Sequence, residues 1–189
     1  METVSTENLN LKVINARRFS DERGYFYEAF NWEKYRAALN LKHTFAQDNV
    51  SSSKHGVLRG LHYQYPQAQG KLVSVIQGEV FDVAVDIRRG SPTYGQWDGV
   101  VLSESNQRQF WVPRGFAHGF VVLSDHAIFA YKCDEYYAPM NEKSVAWNDP
   151  ALNIQWQIKA PIVSPKDSQA LMLEQISPDE LPRYEDGSL

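Results

Sequence analysis

The residues best suited to chemistry are one imidazole and two cations on neighbouring apolar segments. Residues 56–64 contain Arg59 and His62, and Lys71 follows Gly70 a few positions later. A histidine titrates near neutral pH and can move a proton, whereas arginine and lysine bind anions. Together these side chains indicate a site that binds an anionic ligand and transfers a proton.

Two side chains in strand-like sequence fit proton transfer next to a carbonyl group. An ammonium at Lys71 beside a ketone oxygen would stabilise the negative charge that develops when a neighbouring C–H loses its proton. The phenol of Tyr131 could return a proton to the enolate if it faces a cavity opposite the base. The ordinary alternatives are a solvated charge at a strand end for Lys71 and a core aromatic for Tyr131.

The spacing of Arg59 and His62 poses a geometric problem. Strict strand alternation places their side chains on opposite faces, so a shared pocket requires a local break. Gly60 is a suitable position for a β-bulge. The sequence leaves open whether this break exists, and an unbroken strand would suit a core histidine bonded to a carbonyl.

Short alternating strands account for most of the chain. In residues 79–87, Phe81 and Val83 alternate with Asp82 and Ala84, which is the period of a half-buried strand. Further strands are predicted at 71–77, 97–103, 109–112, 117–123, 127–136 and 153–158. Several short strands separated by turns rich in Gly and Pro predict a sandwich or barrel.

One helix is predicted, and its role is packing. Asn31 is a good N-cap, and Trp32, Tyr35 and Leu39 form one apolar stripe.

Composition limits the class of protein and its partners. The 189 residues are most simply one domain, and the lone Cys133 cannot form an intrachain disulfide. Nineteen basic and 23 acidic side chains give a net charge of −4, and no apolar run approaches the ~20 residues of a membrane helix. These features disfavour nucleic acid and membrane as partners. The first residues lack the pattern of a secretion signal, so a cytoplasmic protein is expected.

Seven segments, in order, carry a resemblance to a known family. They are 19–26 (FSDERGYF), 56–64 (GVLRGLHYQ), 70–73 (GKLV), 113–120 (PRGFAHGF), 131–133 (YKC), 147–150 (WNDP) and 164–167 (SPKD). With them the chain resembles the dTDP-4-dehydrorhamnose 3,5-epimerases, a metal-independent branch of the cupins, over almost its whole length. The resemblance implies an all-β fold, an antiparallel cupin-type jelly-roll β-barrel with a few short helices.

The same resemblance implies a domain organisation and an assembly. Residues 1–189 would form a single epimerase domain, and residues 159–189 would wrap it and end in a tail. Strands within residues 1–30 would serve dimerisation, so that a homodimer exchanges residues between neighbouring pockets.

Roles for individual residues also come from the resemblance. It makes His62 the general base, oriented by Asp167, Tyr131 the general acid and Lys71 the stabiliser of the enolate. The substrate-binding positions that it implies are Arg23, Phe26, Glu28, Gln47, Asn49, Arg59, His118, Glu142 and Lys166. The implied substrate is dTDP-4-dehydro-6-deoxy-D-glucose, whose diphosphate accounts for the basic side chains.

One pocket can serve two carbons of such a sugar. C3 and C5 both flank the C4 carbonyl, so loss of either proton gives an enolate on the same oxygen. A base on one face of the ring and an acid on the other would invert each centre. Nothing is oxidised or reduced overall, and the sequence has no Gly-rich dinucleotide fingerprint, so no cofactor is expected.

The histidine pattern disfavours a catalytic metal. Metal-binding cupins usually present two histidines one residue apart, then a glutamate, and a final histidine after a Pro-x-Gly turn. Pro113, Gly115 and His118 match the last part, but His62 has no second histidine and residues 66–70 contain no glutamate. Two imidazoles without a carboxylate make a poor transition-metal site.

Four alternatives remain open from the sequence. The enzyme could invert C3 or C5 alone, because the number of centres inverted depends on how the ring is held. It could be a 3,4-ketoisomerase of a related nucleotide sugar. From other classes, it could be a non-catalytic sugar-nucleotide-binding cupin or a metal-dependent dioxygenase. The order of the two inversions, the pathway and the dimer interface also stay open.

Overall fold

Two antiparallel β-sheets dominate the computed structural model, which describes residues 1–184. The strands are β1 (Glu2–Ser5), β2 (Lys12–Asn15), β3 (Arg18–Asp21), β4 (Gly24–Tyr27), β5 (Gln47–Lys54), β6 (Leu58–Gln64), β7 (Lys71–Gln77), β8 (Glu79–Asp86), β9 (Trp97–Ser103), β10 (Arg108–Val112), β11 (Phe116–Val122), β12 (His126–Cys133) and β13 (Glu142–Ser144). The helices are α1 (Trp32–Leu39), α2 (Pro165–Ser168) and the 3-10 turns Pro139–Asn141, Leu173–Gln175 and Pro178–Glu180. The prediction of an all-β, antiparallel fold with a few short helices is confirmed.

The two large sheets face each other. One has the strand order β1-β2-β10-β7-β12-β5 and the other β13-β6-β11-β8-β9. Apolar side chains from both sheets, such as Val73, Phe110, Phe120 and Phe129, form the core between them. The outer face of the five-stranded sheet is covered by the C-terminal segment, including Trp156.

The alternation in β8 explains why a strand here can be buried on both sides. Val80 and Ala84 belong to the core between the sheets, whereas Phe81 and Val83 belong to the cluster on the outer face. Asp82 lies between them in sequence on the inner face, where a charged side chain needs a partner.

Helix α1 has the predicted boundaries and role. The side chain of Asn31 accepts a hydrogen bond from the backbone N–H of Lys34, as an N-cap does. The helix ends at Leu39, and its C-cap Asn40 has a left-handed conformation with φ 52°. Tyr35 and Leu39 are buried against the outer face of the six-stranded sheet.

A bulge in β6 supplies the break that the spacing of Arg59 and His62 requires. His62 pairs with His118 and Arg59 with Phe120, so two residues of β6 stand opposite one residue of β11. Leu58, Leu61 and Tyr63 pack in the outer cluster. Arg59 and His62 consequently share the inner face.

Gly60 and Gly119 make the bulge possible because the two backbones come very close. A Cβ atom on Gly60 would lie 2.6 Å from the Cα of Gly119, and the φ of Gly60 is +132°. Only glycine combines this conformation with this approach.

The prediction of a strand at 153–158 is wrong. Ile154, Trp156 and Ile158 do alternate inward and pack on the outer cluster, but the segment pairs with no strand among the described residues. Asn153 and Gln157 have φ values of 47° and 61°, which interrupt an extended backbone. The alternation of apolar residues in this segment therefore comes from a loop whose three apolar side chains pack against the outer cluster.

The β3–β4 hairpin forms a separate two-stranded sheet and exposes aromatic side chains. Phe26 is 70% exposed, and Phe19 and Tyr25 are also exposed. Within residues 1–184, no helix is both long and apolar enough to cross a membrane.

Candidate active site

A cavity of about 290 Å³ contains six of the residues singled out from the sequence. They are Gln47, Asn49, His62, Lys71, Tyr131 and Glu142. His62 and Glu142 come from the five-stranded sheet, and the other four come from the six-stranded sheet. Groups on two opposing walls can therefore reach a ligand from both sides.

His62 is bonded to Asp167, which is 105 positions away in sequence. Nε2 of His62 lies 2.6 Å from Oδ1 of Asp167, and the carboxylate is almost completely buried. Helix α2 positions Asp167, since its backbone N–H donates to the side chain of the N-cap Ser164. The second carboxylate oxygen accepts a 3.5 Å hydrogen bond from the N–H of Gly60 at the bulge.

The charge of Asp167 determines which nitrogen of His62 carries a proton. Burial raises the pKa of Asp167, but hydrogen bonding to His62, the charge of that imidazole and the other donors outweigh it, so the net pKa is lowered. An ionised carboxylate only accepts hydrogen bonds, which assigns the proton to Nε2 of His62. In the neutral imidazole, Nδ1 then carries no proton and can accept one, which is the state a general base requires.

Lys71 and Tyr131 lie together on the opposite wall. Cys133 pairs with Lys71 in the register of β12 and β7, and Tyr131 is two positions before Cys133 and therefore on the same face. Within residues 1–184, neither the ammonium of Lys71 nor the hydroxyl of Tyr131 has a hydrogen-bond partner. Both groups are thus available to a ligand.

Burial shifts the pKa values of both groups. It lowers the pKa of Lys71, against the raising effect of Cys133, Glu142 and Asp82. It raises the pKa of Tyr131, as does Cys133, while Arg59 lowers it. The phenol is consequently protonated at neutral pH and can donate.

The mouth of the cavity is a connected polar network. Glu142 forms an ion pair with Lys166 at 2.5 Å and accepts a hydrogen bond from the hydroxyl of Tyr137 at 2.9 Å. Gln47 accepts from the backbone N–H of Tyr137 and donates to Asn49. Burial raises the pKa of Glu142, but Lys166 and Tyr137 hold it below its ordinary value.

Arg59 and His118 lie near the cavity without lining it. Nε of Arg59 donates to the hydroxyl of Ser53 at 3.1 Å. His118 is 7% exposed, stands directly across from His62 in the sheet, and is bonded through Nε2 to Asp82.

The hairpin and the chain that follows it keep three predicted residues away from the cavity of their own chain. Arg23 is bonded to Asp21, and Glu28 to Lys34 at 2.8 Å. Phe26 is the most exposed aromatic of the hairpin.

Sequence reasoning missed Gln64, Tyr137 and Cys133 as cavity residues. The amide of Gln64 donates to the carbonyls of Gln67 and Tyr136 and accepts from the N–H of Ala138, so it holds the loop at the mouth. For Tyr137, the sequence signal was the pair of adjacent tyrosines, Tyr136 and Tyr137, shortly before Pro139. In the part of the chain that the structure describes, no three His, Cys, Asp or Glu side chains are grouped to hold a metal ion.

Comparison with known proteins places the chain in a family. The family model described as dTDP-4-dehydrorhamnose 3,5-epimerase matches residues 6–175. The chain belongs to this family. A dTDP-4-dehydrorhamnose 3,5-epimerase of Pseudomonas aeruginosa is 56% identical over 158 residues, covering 83% of this chain and 87% of the relative. The protein is therefore an epimerase of the isomerase class.

Solved structures agree on the fold. The dTDP-6-deoxy-D-glucose-3,5-epimerase of Legionella pneumophila, in complex with dTDP-4-keto-L-rhamnose, is 55% identical with a TM-score of 0.95 over 97% of this chain and 98% of that one. A 3'-monoepimerase from Streptomyces bikiniensis, in complex with dTDP-quinovose, is 35% identical with a TM-score of 0.87, over 97% and 93%. The fold is the expected cupin jelly roll.

Proposed function

We propose that the cavity inverts C3 and C5 of dTDP-4-dehydro-6-deoxy-D-glucose to give dTDP-4-dehydro-L-rhamnose, a precursor of dTDP-L-rhamnose for cell-surface polysaccharide. The observation that carries the proposal is the arrangement of proton-transfer groups on two opposing walls. The bonded pair of His62 and Asp167 faces Tyr131 and Lys71 across one cavity. A sugar ring between them would meet a base on one face and an acid on the other.

Each inversion is a balanced pair of proton transfers. Nδ1 of His62 takes the proton from C3 or C5, and the electron pair of the broken C–H bond is delocalised onto the C4 oxygen. The Lys71 ammonium stabilises this enolate oxygen. Tyr131 then protonates the carbon from the opposite face, and proton exchange with solvent resets the imidazolium and the phenolate before the next inversion.

The mouth network supports a nucleotide at the outer end. Lys166 and Arg59 supply positive charge for the diphosphate, and Gln47, Asn49 and Glu142 supply donors and acceptors for the remaining polar groups. His118, which stands across from His62 in the sheet, supplies a further polar contact for the sugar. Bound complexes of the Legionella and Streptomyces relatives with dTDP-sugars support this class of ligand.

A homodimer completes the proposal. Arg23, Phe26 and Glu28 do not line the cavity of their own chain, and they lie on or next to a hairpin whose exposed aromatics suit burial against a second copy. In such a dimer they would reach the partner's pocket. Because nucleotide sugars are assembled inside the cell, the proposed location is cytoplasmic.

Product analysis tests the reaction. The purified protein is incubated with dTDP-4-dehydro-6-deoxy-D-glucose, and the ketosugar is then reduced with borohydride and hydrolysed. L-Rhamnose together with its C4 epimer is the expected pair of sugars. Sugars inverted at C3 alone would instead support a mono-epimerase, which the similarity to the Streptomyces enzyme keeps as the second candidate.

A further inference from the structure

Asp82 has fewer partners than the other buried carboxylates. Five aspartates are buried within residues 1–184, namely Asp82, Asp86, Asp98, Asp149 and Asp167. The other four each accept hydrogen bonds from at least two residues. For Asp82, Nε2 of His118 is the one donor among the described residues, at 2.9 and 3.0 Å from its two oxygens. A buried carboxylate with so few partners requires a specific reason.

Its position on the inner face of β8, in the sheet opposite the wall that carries Lys71, supplies that reason. Asp82 pairs with Phe120 in the register of β8 and β11, two residues from His118, and both side chains are on the inner face of the sheet that also carries His62.

On the opposite wall, Lys71 shares a face of β7 with Val73, which packs in the same core cluster as Ala84, the inner-face neighbour of Asp82. The electrostatic interaction between Lys71 and Asp82 favours the charged form of both groups. Burial raises the pKa of Asp82 and outweighs the opposing effects of His118 and Lys71, so the net pKa is raised.

The other groups that face Lys71 are poorly suited to balance its charge. Burial raises the pKa of the Cys133 thiol to about 11, against the lowering effect of Lys71, so the thiol is neutral at neutral pH. Glu142 is already paired with Lys166 and bonded to Tyr137. Of the three acidic neighbours of Lys71, this leaves Asp82 as the carboxylate without a cationic lysine or arginine of its own.

We propose that Asp82 is a positioning residue, the internal counter-ion that keeps Lys71 an ammonium in the desolvated cavity. It also holds His118 by Nε2, so that this imidazole is fixed across from His62 in the sheet. The inference rests on the proposed function only in assigning the enolate to Lys71. The pairing of charges itself does not depend on which ligand binds.

The test is a titration of Lys71 followed by NMR in protein labelled with ¹³C at lysine Cε, with the resonance assigned from its loss in Lys71→Gln. In the full-length protein, Asp82→Asn should lower the titration midpoint of Lys71 by about one pH unit, because an opposite charge is lost without a change of shape. Asp98→Asn is the matched control. Asp98 is also buried but accepts hydrogen bonds from Thr6, Asn8 and Leu9, and its replacement should leave the midpoint of Lys71 unchanged.

A reciprocal variant keeps the inference falsifiable if Asp82→Asn does not fold. Since coupling between two sites is mutual, Lys71→Gln should raise the midpoint of the Asp82 carboxyl, observed by ¹³C NMR of labelled aspartate. An unchanged midpoint in either variant that folds would overturn the inference.

The kinetic consequence separates this inference from the proposed function. In Asp82→Asn, the alkaline limb of the pH–rate profile should move to lower pH together with the Lys71 midpoint. A shift of the midpoints in a protein without epimerase activity would uphold the counter-ion and overturn the proposed function. Normal epimerisation with unmoved midpoints would overturn the counter-ion and leave the proposed function standing.

Discussion

Asp167 fixes the protonation pattern of His62, and this effect is separable from binding. The carboxylate is 3% exposed and accepts from Nε2 at 2.6 Å. An asparagine in its place has nearly the same shape but can donate to Nε2, which favours the wrong tautomer. We expect Asp167→Asn to lower kcat by about 10²-fold or more with little change in KM. Steady-state kinetics of this variant and of the exposed control Asp179→Asn check it, and equal losses in both would contradict it.

The same carboxylate makes stability depend on pH. Its pKa is lowered in the folded state, so the folded protein binds fewer protons than the unfolded chain in the acidic range. The stabilisation from Asp167 is present above the ordinary aspartate pKa and is lost as pH falls through the folded value. Urea unfolding should show a difference between wild type and Asp167→Asn at about pH 7 that shrinks toward about pH 3. A constant difference would exclude this linkage.

Tyr131 acts after the first proton transfer. Its phenol is protonated at neutral pH and faces the base from the other wall. In Tyr131→Phe, we expect loss of the C3 and C5 protons to solvent to continue while inversion falls by about 10²-fold or more. Solvent exchange and product configuration, measured on one sample, test this. An equal decrease in both would remove Tyr131 as the acid.

At the scale of elements, the bulge in β6 converts a strand into a site. It brings Arg59 and His62 onto one face, and Gly60 allows it because of its positive φ and the contact with Gly119. Gly60→Ala should lower the free energy of unfolding by about 1–3 kcal/mol and reduce kcat. Gly90→Ala is the control, since Gly90 also has a positive φ of +83° but nothing within 4 Å of the added Cβ. Equal melting temperatures of the two variants would show that the close approach of Gly60 to Gly119 is unimportant for stability.

The sequence carries the local features of this fold better than the distant ones. The alternation in β8 and the cap at Asn31 are set by neighbouring residues, and the structure has both. The contact of His62 with Asp167 depends on the path of the C-terminal segment, which no local pattern encodes. The sequence shows that a shared pocket for Arg59 and His62 requires a break near Gly60. It does not show that the bulge forms, because the bulge depends on the pairing of β6 with β11.

At the scale of the molecule, the exposed hairpin predicts sites shared between two chains. If Arg23 serves the partner's pocket, mixing Arg23→Ala with His62→Ala protein creates dimers with one fully equipped pocket. After exchange of subunits, activity should rise to about a quarter of wild type, since half the dimers are mixed and one pocket in each is intact. The assay is the rate before and after mixing. Activity that stays at the average of the two variants would contradict sharing in trans.

The most direct measurement is proton NMR of dTDP-4-dehydro-6-deoxy-D-glucose with metal-stripped protein in deuterium oxide, which follows exchange and configuration at C3 and C5 separately. Wild type should exchange and invert both centres, and His62→Ala should do neither. Exchange and inversion at one centre alone would indicate a mono-epimerase. Binding of the nucleotide sugar without any exchange would contradict proton transfer by His62 and Tyr131.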